Sequence, residues 1–142
     1  MRYPISLDPA TRRIVCGLVA RYEAYARSLI EARDEILYGS PEQGEKVQSE
    51  SGNTTESKAE RLVFLDNCFK ARAVRAIDEA KSLIAVDIEN DGQRRRIVLA
   101  IWRSCISPRN YPYRGGLYIS RRDFYRRRND FLSEIANNLG IK

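Results

Sequence analysis

Between residues 18 and 36 the apolar side chains keep one rhythm: Leu18, Tyr22, Tyr25, Leu29, Ala32 and Ile36 stand 4, 3, 4, 3 and 4 residues apart. Those intervals form a single stripe only when the backbone is helical, so this part of the chain is bound to a long helix. The spacing and its flanks predict a helix over about 8–38. Asp8 is suited to cap it and Pro9 to open it. Gly39 stops it and Pro41 follows. A lone stripe needs a cover. Either a second copy of the chain or a second helix of the same chain would serve, and the internal helix is favoured.

Residues 40–53 carry one apolar side chain, Val47, and read as a mobile polar linker. Asn53 followed by Glu56 resembles a capping box and opens a second long helix over about 54–84. Leu62, Leu65, Phe69, Ala73, Ile77 and Ile84 supply its buried face. Asp91-Gly92 breaks the chain. A third helix, about 93–105, gathers Ile97, Val98, Ile101, Trp102 and Cys105 on one side. Two prolines and Gly115-Gly116 argue against a regular helix over 106–120. The same stretch interleaves Tyr111, Tyr113 and Tyr118 with Arg109 and Arg114. That mixture suits a grip on a nucleic-acid backbone or a tyrosine-packed connector equally well. The last helix is the best marked: Ser120 at its cap, Asp123 at its third position, Ile119 before the cap to meet Phe124, and Gly140 at its end. The expected fold is all-α: two long antiparallel helices joined by a mobile linker, then a small helix-turn-helix-like C-terminal unit. The expected division is 1–92 and 93–142.

Charge is distributed unevenly over the 142 residues, whose net charge is +6. Residues 94–128 hold eleven arginines and one acid, Asp123, for +10; the remainder holds 14 bases and 18 acids, for −4. Arginine dominates, with 20 of the 25 bases, and its planar fork matches phosphate and guanine. Arg94, Arg95 and Arg96 occupy the first turn of the third helix, the wrong end for cations on dipole grounds, which suggests a task outside folding such as meeting phosphates. At 100° per residue the last helix has two faces. Phe124, Phe131, Leu132, Ile135 and Leu139 form the apolar one. Arg122, Arg126, Asn129 and Ser133 recur on the other, flanked by Tyr125 and Arg121. Arginine reads guanine and asparagine reads adenine from the major groove. The expected base readers are therefore Arg122, Tyr125, Arg126 and Asn129. The expected phosphate contacts are Arg94, Arg95, Arg96, Arg109, Arg114 and Arg121. Arg128 falls near the apolar face and reads as structural, snorkelling or paired with an acid.

Enzyme classes fall away. No histidine is present, which excludes His-based triads, general bases and metal ligands. No P-loop, Gly-rich dinucleotide motif or activated nucleophile is recognisable. Asp87, Glu89 and Asp91 form a small acidic cluster best read as a solvated turn. Cys16, Cys68 and Cys105 are widely spaced, so neither a zinc site nor a disulfide framework is expected; they read as buried or free thiols in a reducing compartment. No apolar run reaches the roughly 18 residues of a membrane span, and the N-terminus MRYPISLDP lacks a signal-peptide core. The expectation is a cytoplasmic protein with no cofactor, no metal and no small-molecule substrate.

Several stretches resemble the RinA/ArpU-like regulators of phages and prophages in Gram-positive bacteria. Tyr22 and Tyr25, Leu29-Ile30, Arg33 and Glu35-Ile36-Leu37 match in style, as does Asn53-Thr54-Thr55-Glu56-Ser57-Lys58 after the linker. The nearest likeness is ISRRDFYRRRNDFLSEIANNLG, residues 119–140, which is similar to the closing recognition helix of that family. The resemblance implies a DNA-binding activator of late genes, with a C-terminal part like sigma factor region 4. It also implies a nucleoid-associated location in the bacterial host. Double-stranded DNA is the implied partner, with RNA polymerase and a second copy of the chain as further candidates. One departure stands out: NYPYRGGLY occupies the place of the short helix before the turn. Either a loop replaces that helix, or the helix over 93–105 supports the last one across a long turn. A DNA-packaging protein of the small terminase type and a helical interaction scaffold are the alternative readings.

Overall fold

The computed structural model describes residues 7–39, 55–107 and 117–141. Within them lie six helices: α1 (Pro9–Ala20), α2 (Tyr22–Tyr38), α3 (Thr55–Asp66), α4 (Phe69–Ser82), α5 (Asp91–Ile106) and α6 (Arg121–Leu139). The described residues contain no strand, and no helix among them is long and apolar enough to cross a membrane. The fold is all-α. The expected linker over 40–53 lies outside the described residues, as do Arg109, Tyr111, Tyr113 and Arg114.

Each of the two long helices expected from the sequence is broken in the middle. The first divides at Arg21, whose N–H is shared between the carbonyls of Gly17 (3.2 Å) and Leu18 (3.1 Å). That tightened turn leaves Arg21 at φ −96°, ψ 1°, outside the helical basin. Gly17, one turn earlier, is the weakest helix former in the interior of α1. The second divides at Asn67, whose backbone N–H meets Val63 and Phe64 while its side-chain amide donates to the Val63 carbonyl at 2.8 Å. An asparagine side chain that takes a backbone partner competes with the helix.

The chain separates into two compact units, Glu23–Val74 on one side and Met1–Tyr22 with Arg75–Lys142 on the other. These units do not coincide with the expected division at residue 92, because α1 and the end of α4 pack with the C-terminal helices. In the first unit, Lys58 donates to the Leu37 carbonyl (3.4 Å), Lys70 donates to Ser28 (3.2 Å), and Tyr25 meets Phe69 edge-on at 6.4 Å. Partners on α3 and α4 thus rise in number as those on α2 fall. Burial here is thin. No residue of α2 is fully buried, Leu62 and Leu65 are half-buried, and Phe69, expected inside, is exposed.

The other unit has the core. α1 packs on α5 and on α6, and α5 packs on α6. Val15 and Val19 of α1, Ile77 of α4, Ile97 and Ile101 of α5, and Phe124, Leu132 and Ile135 of α6 are all buried to within 2 % of full cover. Each such side chain contributes about 1.5–3 kcal/mol. Trp102 lies edge-on to Tyr22 (5.1 Å) and tilted to Phe131 (6.2 Å), with the Lys81 ammonium 4.5 Å from its ring centre. The Tyr22 hydroxyl donates to Asp78. α5 begins two residues earlier than the sequence suggests, because Asn90 accepts from the Gln93 N–H at 2.8 Å and caps it.

Candidate nucleic-acid interface

α6 is built as its sequence predicts. The Ser120 hydroxyl accepts from the Asp123 N–H at 3.0 Å. At the other end Gly140 adopts φ 73°, and Ile141 donates back to Ala136 at 2.8 Å, closing the helix in a left-handed cap. Phe124, Phe131, Leu132, Ile135 and Ala136 are buried, which fixes the rotation of the helix and so decides what it shows to solvent.

Arg122 and Arg126 are exposed on the opposite side, one turn apart. Arg126 pairs with Asp123, three residues back, while keeping 48 % of its side chain exposed. Tyr125 is half-buried beside them. Its ring has the Arg121 guanidinium at 5.8 Å, that of Arg128 at 5.9 Å and the edge of Phe124 at 5.3 Å. The ridge weakens toward its C-terminal end. Asn129 is half-buried, and the Ser133 hydroxyl is buried with no hydrogen-bond partner. The outward basic surface of α6 is therefore concentrated in its first two turns, at Arg121, Arg122 and Arg126, with Tyr125 beside them.

Arg127 takes a different role. Its side chain is only 11 % exposed and makes a two-pronged pair with Asp87, 2.7 Å on each prong, while its Nε donates to Asp123 at 2.9 Å. This fork ties α6 to the turn after α4. The hydrogen bond from Arg127 holds Asp87 down to about 2, and the same bond pushes Arg127 up. Burial opposes ionisation of Asp123, but the bonds from Arg126 and Arg127 outweigh it and its pKa is lowered. Asp87, read from the sequence as a solvated turn residue, is thus a partner of α6. Asp87, Asp130 and Glu134 line a cavity of about 250 Å³ together with Arg126 and Arg127, so carboxylates border the ridge on that flank.

The first turn of α5 divides its three arginines. Arg94 folds back over the preceding turn, donating to the carbonyls of Ala85 (3.1 Å) and Ile88 (2.8 Å), with Val86 at 3.5 Å. Ala85 sits there at φ 57°, a conformation unfavourable for a residue with a side chain, and the guanidinium gathers the carbonyls exposed by that bend. The dipole rule is therefore broken at Arg94 for a structural reason, whereas the sequence suggested phosphate. Arg95 and Arg96 are exposed. Arg109 and Arg114, the remaining expected phosphate contacts, lie outside the described residues. Among the described residues no group of three or more His, Cys, Asp or Glu is placed to hold a metal ion.

Comparison with family models, curated proteins and solved structures finds no match to this chain.

Proposed function

We propose that the protein is a DNA-binding transcriptional regulator that sets the first turns of α6 into the major groove. The observation that carries this reading is the two-sidedness of α6: five apolar residues lock one face into the core, and Arg122 and Arg126 stand exposed on the other. Recognition helices of helix-turn-helix proteins contact bases with their N-terminal residues, where this helix concentrates its basic side chains. The mutual packing of α1, α5 and α6 supports a helix-turn-helix-like unit in which α5 is the supporting helix across a long connection. In this reading Arg122, Tyr125, Arg126 and, at the edge, Asn129 meet base edges. Arg95, Arg96 and Arg121 meet phosphates, joined by Arg109 and Arg114. Asp123 orients Arg126 before DNA arrives.

Activation of phage or prophage late genes follows from the resemblance described above, and RNA polymerase would be the second partner. Ile30, Tyr38, Val63 and Phe64 are between 61 % and 80 % exposed in the unit Glu23–Val74, and support a homodimer formed through that unit. The test is a mobility shift on the DNA upstream of the gene beside random duplex. Arg122→Ala and Arg126→Ala should each weaken the specific complex by about 1–3 kcal/mol and relax selectivity at one base pair. Unchanged specific binding by both variants would overturn the assignment of α6 as the reader. A ring-sized mass by light scattering would favour a packaging role.

A further inference from the structure

Arg128 sits at the centre of the apolar face of α6, with Phe124, Leu132 and Ile135 one or two turns away and all buried. A charge in that position needs a reason. Its side chain borders a cavity of about 510 Å³, lined also by Arg12, Arg13 and Cys16 of α1 and by Cys105 of α5. No carboxylate is among the described residues that line it. The Nε atoms of Arg12 and Arg128 are buried with no hydrogen-bond partner. Desolvated guanidinium donors without an acceptor are costly, and they mark a place where negative charge is expected to arise.

Two thiols lie in that field. Cys105 is buried and Cys16 half-buried, and both stand on the wall of that cavity. The nearness of Cys105 lowers the pKa of the Cys16 thiol; burial opposes this, and the guanidiniums of Arg128 and Arg12 reinforce it. The same nearness and deeper burial push Cys105 up. Cys16, the more accessible of the two and set among Arg12, Arg13 and Arg128, is the thiol placed to attack, and Cys105 lies deeper on the same wall.

We propose that Cys16 and Cys105 form a peroxide-reactive pair, in which Cys16 attacks within the arginine-lined cavity and Cys105 then closes a disulfide between α1 and α5. In the first step the Cys16 thiolate attacks one oxygen of hydrogen peroxide. An S–O bond forms and the O–O bond breaks. The sulfur loses two electrons to the peroxide, and the departing hydroxide, met by the guanidinium N–H groups, takes a proton from solvent to become water. In the second step Cys105 attacks the sulfenic sulfur of Cys16. The S–S bond forms, and the displaced hydroxide leaves as water with the proton of Cys105. The sum is two thiols and one peroxide giving one disulfide and two waters. This chemistry does not rest on the DNA-binding reading.

Cys68, half-buried at the break between α3 and α4, is an internal comparator. The full, reduced chain is exposed to limiting hydrogen peroxide, alkylated, digested without reduction and examined by mass spectrometry. Cys16 should be lost at least about tenfold faster than Cys68, which is not on the arginine-lined wall, and a peptide linking Cys16 to Cys105 should accumulate. In Cys105→Ser, dimedone should trap a sulfenic acid on Cys16; in Cys16→Ser it should not label Cys105. Arg128→Gln should slow the oxidation of Cys16, and Arg128→Lys should restore part of the rate. Circular dichroism confirms that each variant is folded. Loss of Cys68 as fast as Cys16 in the unmodified chain, or absence of the linked peptide, would overturn the proposal without recourse to any variant.

Discussion

Arg94→Ala separates a folding role from a binding role in one residue. Two of the three contacts made by Arg94 have good geometry, those to Ala85 at 3.1 Å and Ile88 at 2.8 Å; the third, at 3.5 Å, counts for little. A hydrogen bond from a charged donor contributes about 1.5–3 kcal/mol net. Arg94 is only half-buried, so water can replace part of what is lost, and the low end applies to each bond. Removing a cation from the N-terminal turn of α5 returns about 0.3–1 kcal/mol. The balance is a loss of about 2 kcal/mol, or about 1 M in urea midpoint for a slope of about 2 kcal/mol per M. Trp102 is the sole tryptophan and stands on α5 between Tyr22 and Phe131, so its fluorescence follows the unit that Arg94 supports. Arg95→Ala is the paired control. Being exposed, it should leave the midpoint within about 0.5 kcal/mol and lower the salt dependence of DNA binding by about one phosphate contact. An Arg94→Ala variant that keeps the urea midpoint and instead reduces the salt slope as Arg95→Ala does would refute the structural role of Arg94.

Three further outcomes are expected. Asp87 has its pKa lowered to about 2 in the fold, so its pair with Arg127 stabilises fully above the ordinary carboxylate value and is lost as pH falls through about 2. Because Asp87 is 62 % exposed, a double-mutant cycle on Asp87→Ala and Arg127→Ala at pH 7 should give a coupling below about 1 kcal/mol, vanishing in acid below that window; a coupling unchanged in acid would contradict the pairing. Gly140→Ala should cost about 1–2 kcal/mol in urea unfolding from backbone strain alone, since its φ is 73° and no atom lies within 4 Å of the added carbon; a neutral result would mean the cap is not formed in solution. With Arg95, Arg96, Arg109, Arg114 and Arg121 meeting duplex phosphates, the slope of log affinity against log salt should be about −4 to −5, and a slope of about −1 would remove Arg95 and Arg96 from the DNA face.

The parts of the fold that were legible in the sequence are those set by neighbours along the chain. Ser120 caps α6 within three residues, Gly140 ends it within one turn, and the buried set Phe124, Phe131, Leu132 and Ile135 follows from helical period alone. The breaks at Arg21 and Asn67 were hidden because they interrupt stripes that continue on both sides. Each comes from a local contest for carbonyls, at Gly17 and Leu18 in one case and at Val63 in the other, with no proline to announce it. Phe69 fits a helical stripe and is nonetheless exposed, since period shows which side chains share a face and not whether anything covers it. The pairing of Arg127 with Asp123, four residues back, was available from spacing. Its pairing with Asp87, 40 residues back, was not, and neither was the turn that Arg94 closes.

Those two contacts change what the charge asymmetry means. The +10 of residues 94–128 suggests a surface given over to an anionic partner. In the fold, Arg94 is occupied by backbone carbonyls, Arg127 by two carboxylates, and Arg128 by the face of Tyr125 and a cavity it shares with two thiols. All three are turned away from the outward surface, and Arg94 and Arg127 tie α5 and α6 to the turn before α5. Arg95, Arg96, Arg103, Arg121, Arg122 and Arg126 remain exposed. Arginine suits both tasks for the same physical reason: its fork offers several directed donors that stay charged at any physiological pH. A chain without histidine therefore has structural and recognition cations that do not titrate.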